Sequence, residues 1–268
     1  MWKFDDPAKQ AVWDSLVAQQ SHWFEVSVVI GDRGLLINER GNVITFGGLG
    51  IRVAQGDANS GFKGNYIMSL STQYRAFSGE QPSVGACLSS ELDLTMIRPA
   101  GTIPRMAIII PYVRATDGAQ TSDWVPQGHY FIDTREYSQN DDNLDLVTIH
   151  AYDGMLMTEQ DYPDTTHPWP MTDTDVVQEI ADYLQISVDP RTWDVMDKAY
   201  QISAPAGYTM REVLSNIGAA YCGNWVMNYD GELLLVNVNS YPPETNLLIT
   251  EAGDYITIGG DRLLVSAV

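Results

Sequence analysis

Hydrophobic and polar residues alternate most clearly from Leu88 to Met96, where Leu92 and Leu94 alternate with Glu91, Asp93 and Thr95. This period of two predicts a β-strand with one buried face and one solvated face. The run from residue 106 to 113 is instead apolar on both faces, which predicts a central strand unless Pro111 bends it. Short β-rich runs joined by Gly and Asp turns surround both, so we predict an antiparallel β-barrel over residues 23–152.

A long hairpin that leads into a helix is predicted between Val125 and Leu156. Pro126 and Gly128 mark a turn before one β-rich run, and the polar residues 138–143 separate it from a second run that ends at Asp153. Aspartate is a favourable N-cap residue, so we predict that Asp153 caps the following helix.

After Asp153 the hydrophobic period becomes helical. Residues 172–175 open a helix with one apolar face, and Thr209 with Glu212 forms a capping box before a second helix. A hairpin with its turn at residues 229–231 follows. Residues 153–240 are therefore predicted to form a small α+β domain.

The two ends of the chain complete the predicted organisation. Residues 1–22 form an N-terminal helix or arm, in which Asp5 or Asp6 caps and Pro7 occupies the first helical position. This helix packs on its own domain or docks on a neighbouring subunit, and the sequence leaves both open. Residues 241–268 are assigned to C-terminal strands of an incomplete or second barrel. The predicted fold class is α+β, mainly β.

The charge balance restricts the possible partners. The chain has 15 Lys and Arg against 35 Asp and Glu, a net charge of -20, whereas binding of a phosphate backbone requires a basic surface. The excess of acid serves solubility, or it lines a lumen that repels DNA. The N-terminus shows no signal peptide and the apolar runs are far shorter than a membrane span, so we expect cytoplasmic synthesis without membrane insertion.

Candidate chemical groups are few. Glu91 and Asp93 share the polar face of one strand, about 7 Å apart at Cα, and a solvated face is favoured over paired glycosidase carboxylates. Cys87 and Cys222 are predicted to be free core thiols, and His129 with His150 is predicted to form a structural pair. The sequence shows no nucleophile elbow, phosphate loop or zinc spacing, so we expect no enzyme activity, no cofactor and no metal.

Three stretches give the chain a likeness to a known family. In order and spacing it resembles the tail hub proteins of bacteriophages and related contractile injection machines, on residues 86–94 with 108–113, residues 128–155, and residues 208–214 with 217–220, 224 and 230–233.

The resemblance implies a homotrimer whose subunits normally each supply two barrels, so that three chains form a pseudo-six-fold ring. Such a ring is a structural hub at the distal end of a virion tail. It joins the tail tube or distal tail protein to the tip or spike protein, and DNA passes through without specific binding. Glu91 and Asp93 are then the candidate lumen-facing residues. Only one full barrel can be placed in this sequence.

Two other functions remain possible on the sequence alone. A carbohydrate-binding or cell-wall-processing tail-tip module could use exposed Trp13, Trp23, Trp124 and Trp169 to stack on sugars. A soluble hydrolase with an unrecognised site is the third possibility.

Overall fold

The computed structural model describes most of the chain between residues 3 and 237. The described ranges are 3–17, 23–31, 45–46, 49–50, 58–75, 83–100, 103, 107–140, 143–163, 168–237, 257–258 and 261–262. The helices are α1 (Pro7–Val17), a 3₁₀ helix (Gly154–Glu159), α2 (Asp173–Leu184), α3 (Arg191–Val195) and α4 (Met210–Ala220). The strands are β1 (Trp23–Gly31), β2 (Thr45–Phe46), β3 (Leu49–Gly50), β4 (Phe62–Lys63), β5 (Ile67–Gln73), β6 (Glu91–Ile97), β7 (Ile108–Thr116), β8 (Val125–Pro126), β9 (Tyr130–Gln139), β10 (Asp145–Asp153), β11 (Met171–Thr172), β12 (Gln201–Ile202), β13 (Gly223–Met227), β14 (Leu233–Asn237), β15 (Thr257–Ile258) and β16 (Asp261–Arg262).

An eight-stranded antiparallel sheet dominates the fold. Its order is β4-β1-β7-β9-β10-β6-β5, and β8 pairs with β7. The mainly antiparallel β class with few helices agrees with the prediction. Within the described ranges the sheet is open, because no ladder joins its edge strands β4 and β5. Residues 64–66 link the two edges by a turn, in which the N–H of Tyr66 donates to the carbonyl of Lys63 at 2.8 Å.

The inner face of this sheet forms one hydrophobic core. Leu92, Leu94 and Met96 of β6 are fully buried there, which confirms the strand predicted from the alternation. β7 is central, because it pairs with β1 along nine residues and with β8 and β9 on its other side. Pro111 stays inside β7, opposite Val28, so it neither ends the strand nor moves it to an edge.

A second, smaller sheet is built on β13 and β14. Residues 85–88 run parallel to β13, with the N–H of Gly85 donating to Gly223 at 2.7 Å and that of Leu88 to Trp225 at 2.8 Å. The segment 187–189 runs parallel to β14 on the opposite side. Trp225 is fully buried, and its indole N–H donates to the carbonyl of Leu214 in α4 at 2.7 Å. Helices α2 and α4 contribute to this core, as do Ile108, Ile110 and Phe131 of the large sheet.

Helices α2 and α4 begin where the sequence predicts. Thr172 caps α2, and Thr209 with Glu212 forms the complete capping box of α4. The left-handed residue after α4 is Cys222, with φ 53°, and the next residue, Gly223, already pairs in β13. Cys222 is also exposed, contrary to the prediction of a core thiol, whereas Cys87 is buried and both are free.

Helix α1 packs on its own chain. Asp6 caps it by accepting from the N–H of Ala8 at 2.9 Å. Val12 and Trp13 are buried against Ala115 and Val125. The sequence left open whether this helix packs on its own domain or docks on a neighbouring subunit. The contacts described for it are with the large sheet of its own chain.

Several predicted strands lie outside the described residues. These are the strands between residues 32 and 44 and most of the C-terminal segment 241–268, of which only the short hairpin of β15 and β16 is described. The predicted domain boundary at residue 153 stays a prediction. The structure adds that residues 85–97 belong to both sheets in turn, first beside β13 and then as β6.

Asp153 joins the two sheets. Its N–H donates to the carbonyl of Ser90 at 3.1 Å, and its carboxylate accepts from the N–H of Ser90 at 2.7 Å and of Met155 at 3.0 Å. The bond from the N–H of Met155 caps the 3₁₀ helix, as predicted. Burial raises the pKa of Asp153 from 3.8 to about 6, although the N–H donors act in the opposite direction.

We expect Asp153→Ala to lower the free energy of unfolding by about 3 kcal/mol at pH 5, because two buried N–H groups lose their acceptor. The folded pKa lies above the unfolded one, so this carboxyl contributes most below pH 4, and its contribution is lost as pH rises through 6. The cost of the substitution should therefore shrink by roughly 1 kcal/mol between pH 5 and 7.5. Urea unfolding at pH 5 and pH 7.5 measures the cost of the substitution, with Asp194→Ala at an exposed aspartate as the control. A cost that grows with pH would show that the two N–H groups outweigh burial.

Candidate functional site

The outer side of the large sheet presents a surface of polar residues, which we call the polar face. Pairing sets its rows, because strand neighbours point to the same side. Asp93 lies between Ser71 of β5 and His150 of β10, and Glu91 lies between Gln73 and Tyr152. The remaining members are Ser69, Thr95, Thr134, Glu136 and Thr148. Both predicted site residues therefore lie on one solvated surface opposite the core.

Each of the two carboxylates has a cationic or ionisable partner, which for Glu91 lies just beyond the end of β5 and for Asp93 lies on β10. Glu91 Oε1 lies 3.0 Å from Arg75 Nη2, and Asp93 Oδ1 lies 2.7 Å from His150 Nδ1. The ring of His150 also meets that of Tyr152 edge to face, at 4.8 Å between centroids. The side chain of Asp93 is 65% exposed, so its pairing is a solvated surface contact of small energetic value.

This geometry is unsuited to glycoside hydrolysis. That reaction needs two carboxyl groups facing each other across the sugar. Glu91 and Asp93 project from one strand to the same side, where Glu91 pairs with Arg75 and Asp93 with His150. The preferred interpretation of a solvated face agrees with this arrangement, while their assignment to a lumen stays a prediction.

The row Thr134–His150–Asp93 has the order of a nucleophile, base and acid. It lies on an open sheet surface, where the ladders of β6, β9 and β10 engage the surrounding backbone. A developing oxyanion needs N–H donors aimed at it from a protected site. The row is therefore better explained as cross-strand pairing, and the expected lack of enzyme activity stays a prediction.

The predicted histidine pair is wrong. His150 pairs with Asp93, whereas His129 lies beyond the start of β9 and packs against the turn at Gly231. A Cβ on Gly231 would lie 2.6 Å from Nδ1 of His129, so this turn requires glycine. A bulge beside His150 and the length of β9 separate the two histidines, and sequence spacing alone does not show this.

The tryptophans predicted to be exposed are not a sugar-binding set. Trp13, a residue of α1, is buried against the large sheet, and Trp124 is half-buried beneath the guanidinium of Arg114, 4.4 Å from its ring. Trp169 is half-buried against the second core, and the side chain of Trp23 lies outside the described residues. Each described tryptophan packs within the chain because its large apolar ring gains more from burial than from exposure.

The edge strand β5 is the second notable surface. It pairs with β6 on one side, and its other side has no ladder in the described ranges. A register shift between Ile67 and Ser69 turns Met68 outward, where it is 53% exposed beside the 45% exposed Tyr66. Open strand edges with apolar side chains favour pairing with another chain.

Two general features bear on the predicted absence of metal and membrane contacts. The described residues contain no group of three or more His, Cys, Asp or Glu placed to hold a metal ion. Among the helices described here, none has the length and apolar character to cross a membrane.

Two of the solved structures similar to this chain are tail proteins. The prophage MuSo2 43 kDa tail protein from Shewanella oneidensis matches 80% of this chain and 53% of its own, at 11% identity and TM-score 0.45. A tail protein from Neisseria meningitidis MC58 matches 79% and 50%, at 13% identity and TM-score 0.44. The half-lidded Francisella PdpA-VgrG complex matches 81% and 31%, at 7% identity and TM-score 0.43.

The chain spans about half the length of the two tail proteins that it matches. No protein-family model matches it, and no curated protein matches it in sequence. The chain is thus similar in fold, at low identity, to a prophage tail protein and to a second tail protein.

Proposed function

We propose that this chain is a structural hub of a phage tail or of a phage-derived particle. In this proposal its copies form a ring that joins the tail tube or distal tail protein to the tip or spike protein, and DNA passes through the ring. The observation that carries the proposal is the eight-stranded antiparallel sheet, which combines one apolar face, one polar face and an open edge. These are the properties that a subunit of a hollow β-rich tube requires.

Assembly would proceed through the open edge. A strand from a second copy can add to β5, whose outer side has no ladder within the described ranges and carries exposed Met68 beside exposed Tyr66. Such head-to-tail contacts close into a ring when the rotation between subunits equals a full turn divided by the number of subunits. The sequence resemblance favours three copies. Continuing the sheet from copy to copy would place the polar faces on one side of the ring.

The channel would be acidic as a whole. Glu91 and Asp93 are each paired, and Glu136 of β9 adds a further carboxylate to the polar face. The electrostatic potential close to the polar face depends on how far Arg75 and His150 neutralise these carboxylates. The net charge of -20 makes the potential of the whole chain negative. A surface of this sign repels phosphate groups, so DNA would pass without binding.

We expect light scattering of the purified chain, alone or with its tail-tube protein, to give a trimer that appears as a ring with a central hole in negative-stain images. Met68→Lys should shift the mass towards monomer, because a charged side chain on an open edge opposes strand pairing. Leu144→Lys, at an exposed apolar residue of the β9–β10 turn, is the matched control and should leave the ring unchanged. A wild-type monomer that persists when tube protein is added would contradict the proposed assembly.

A second prediction concerns the channel. The double change Glu91→Lys and Asp93→Lys should leave the ring intact but reduce DNA delivery by the particle, because lysines on the polar face attract phosphate. The control is Asp182→Lys with Asp194→Lys, which makes the same change in net charge on exposed residues of α2 and α3. Infectivity titres and DNA release from purified particles provide the measurement. Equal titres for the two double variants would remove the lumen assignment.

A further inference from the structure

A cleft of about 430 Å³ runs along helix α4, between its residues 213–220 and the segment 200–208. We call it the α4 groove. Its volume lies in the range of small-ligand sites, roughly 300–1,000 Å³. Its lining shares no residue with the polar face, so the proposed hub function gives it no role.

Two tyrosines stand at opposite ends of the groove. Tyr208 directly precedes Thr209, the N-cap of α4, and Tyr200 packs on Tyr221, the C-cap, with 5.4 Å between ring centroids. Helix α4 has 11 residues, which corresponds to a length of about 16 Å. Tyr200 is 45% exposed and Tyr208 50% exposed. The groove therefore offers two exposed aromatic rings separated by more than the width of one sugar ring.

The surface between the rings is apolar at its floor and polar at its rim. Val213 and Ile217 are buried on the face of α4 that lines the cleft. Gln201, Ser203 and Asn216 line it as well, and within the described part of the chain their side chains make no hydrogen bond to protein. Amide and hydroxyl groups both donate and accept, which is what a set of ligand hydroxyls requires.

Among the described residues that line the groove, none is positively charged. Asp173 is the sole charged residue among the described residues that line it. Its carboxylate is buried and already accepts from the hydroxyl of Tyr221 at 2.6 Å and from the N–H of Thr174 at 2.8 Å. An anionic ligand would find no cation here, and a chain with a net charge of -20 would repel it. The chemistry of the lining therefore favours a neutral ligand.

We propose that the α4 groove binds a neutral oligosaccharide. The rings of Tyr200 and Tyr208 stack on the C–H faces of two sugar units, while the rim amides and the Ser203 hydroxyl bind the sugar hydroxyls. This site is independent of ring formation and uses none of the tryptophans that the sequence offered for sugar binding.

The experiment is calorimetric titration of the full chain with maltohexaose, cellohexaose and the hexamer of N-acetylglucosamine, with hexagalacturonate as the anionic comparison. At least one neutral hexamer is expected to bind, and hexagalacturonate is not. Tyr200→Ala and Tyr208→Ala should each weaken binding about tenfold, the effect of losing one stacking contact. Asn216→Ala should weaken it as well.

Tyr137→Ala is the matched control. Tyr137 is 46% exposed, but it lies on β9, beyond the residues that line the groove. It should bind like the wild type, and circular dichroism melts identify any variant that fails to fold. The proposal is overturned if no neutral hexamer binds at millimolar concentration. It is equally overturned if hexagalacturonate binds as well as the neutral sugars, or if folded Tyr200→Ala and Tyr208→Ala bind as the control does.

Discussion

The pairing of Asp153 with Ser90 holds the two halves of this molecule in register. Ser90 is the last residue before β6, and Asp153 is the last residue of β10, so their bonds close the ladder at the point where both strands leave the large sheet. From Ser90 the chain leads back to residues 85–88 of the small sheet, and from Asp153 it continues into the 3₁₀ helix. A buried carboxylate that accepts two backbone N–H groups fixes both exits at once. Any shift of β6 against β10 would leave the N–H of Ser90 without this acceptor.

The polar face depends on that register. A slip of one residue would exchange the faces of β6, so that Leu92 and Leu94 became solvated and Asp93 entered the core. Burying an unpaired carboxylate costs far more than a surface pair contributes, so the ladder has one acceptable alignment. The positions of Glu91, Asp93 and His150 on a single surface therefore follow from the apolar side chains behind them. Their ion pairs are a consequence of the alignment and contribute little to it.

Sequence patterns predicted the elements whose cause is local. The alternation around Leu92, the apolar run of β7 and the capping box of Thr209 and Glu212 each depend on residues near in the chain, and each is present as predicted. The parts that depend on distant contacts were less accessible. No pattern in residues 85–88 predicts that they pair in parallel with β13, which lies more than a hundred positions away in the sequence. The bulge beside His150, which separates it from His129, and the burial of Trp13 against Ala115 and Val125 likewise arise from packing.

The proposed assembly surfaces and the proposed ligand groove lie on different parts of the fold, so one chain can combine the two functions. The polar face and the open edge of β5 belong to the large sheet, whereas the α4 groove is formed by the helix and loops of the small unit. Ile108, Ile110 and Phe131 of the large sheet are buried in the core of the small unit, so the two units pack directly on each other. Within the described part of the chain, side chains on the rim of the groove, such as Asn216 and Gln201, make no hydrogen bond to the large sheet. They can therefore change with the ligand, while the register set by Asp153 and the β6 alternation keeps the sheet constant.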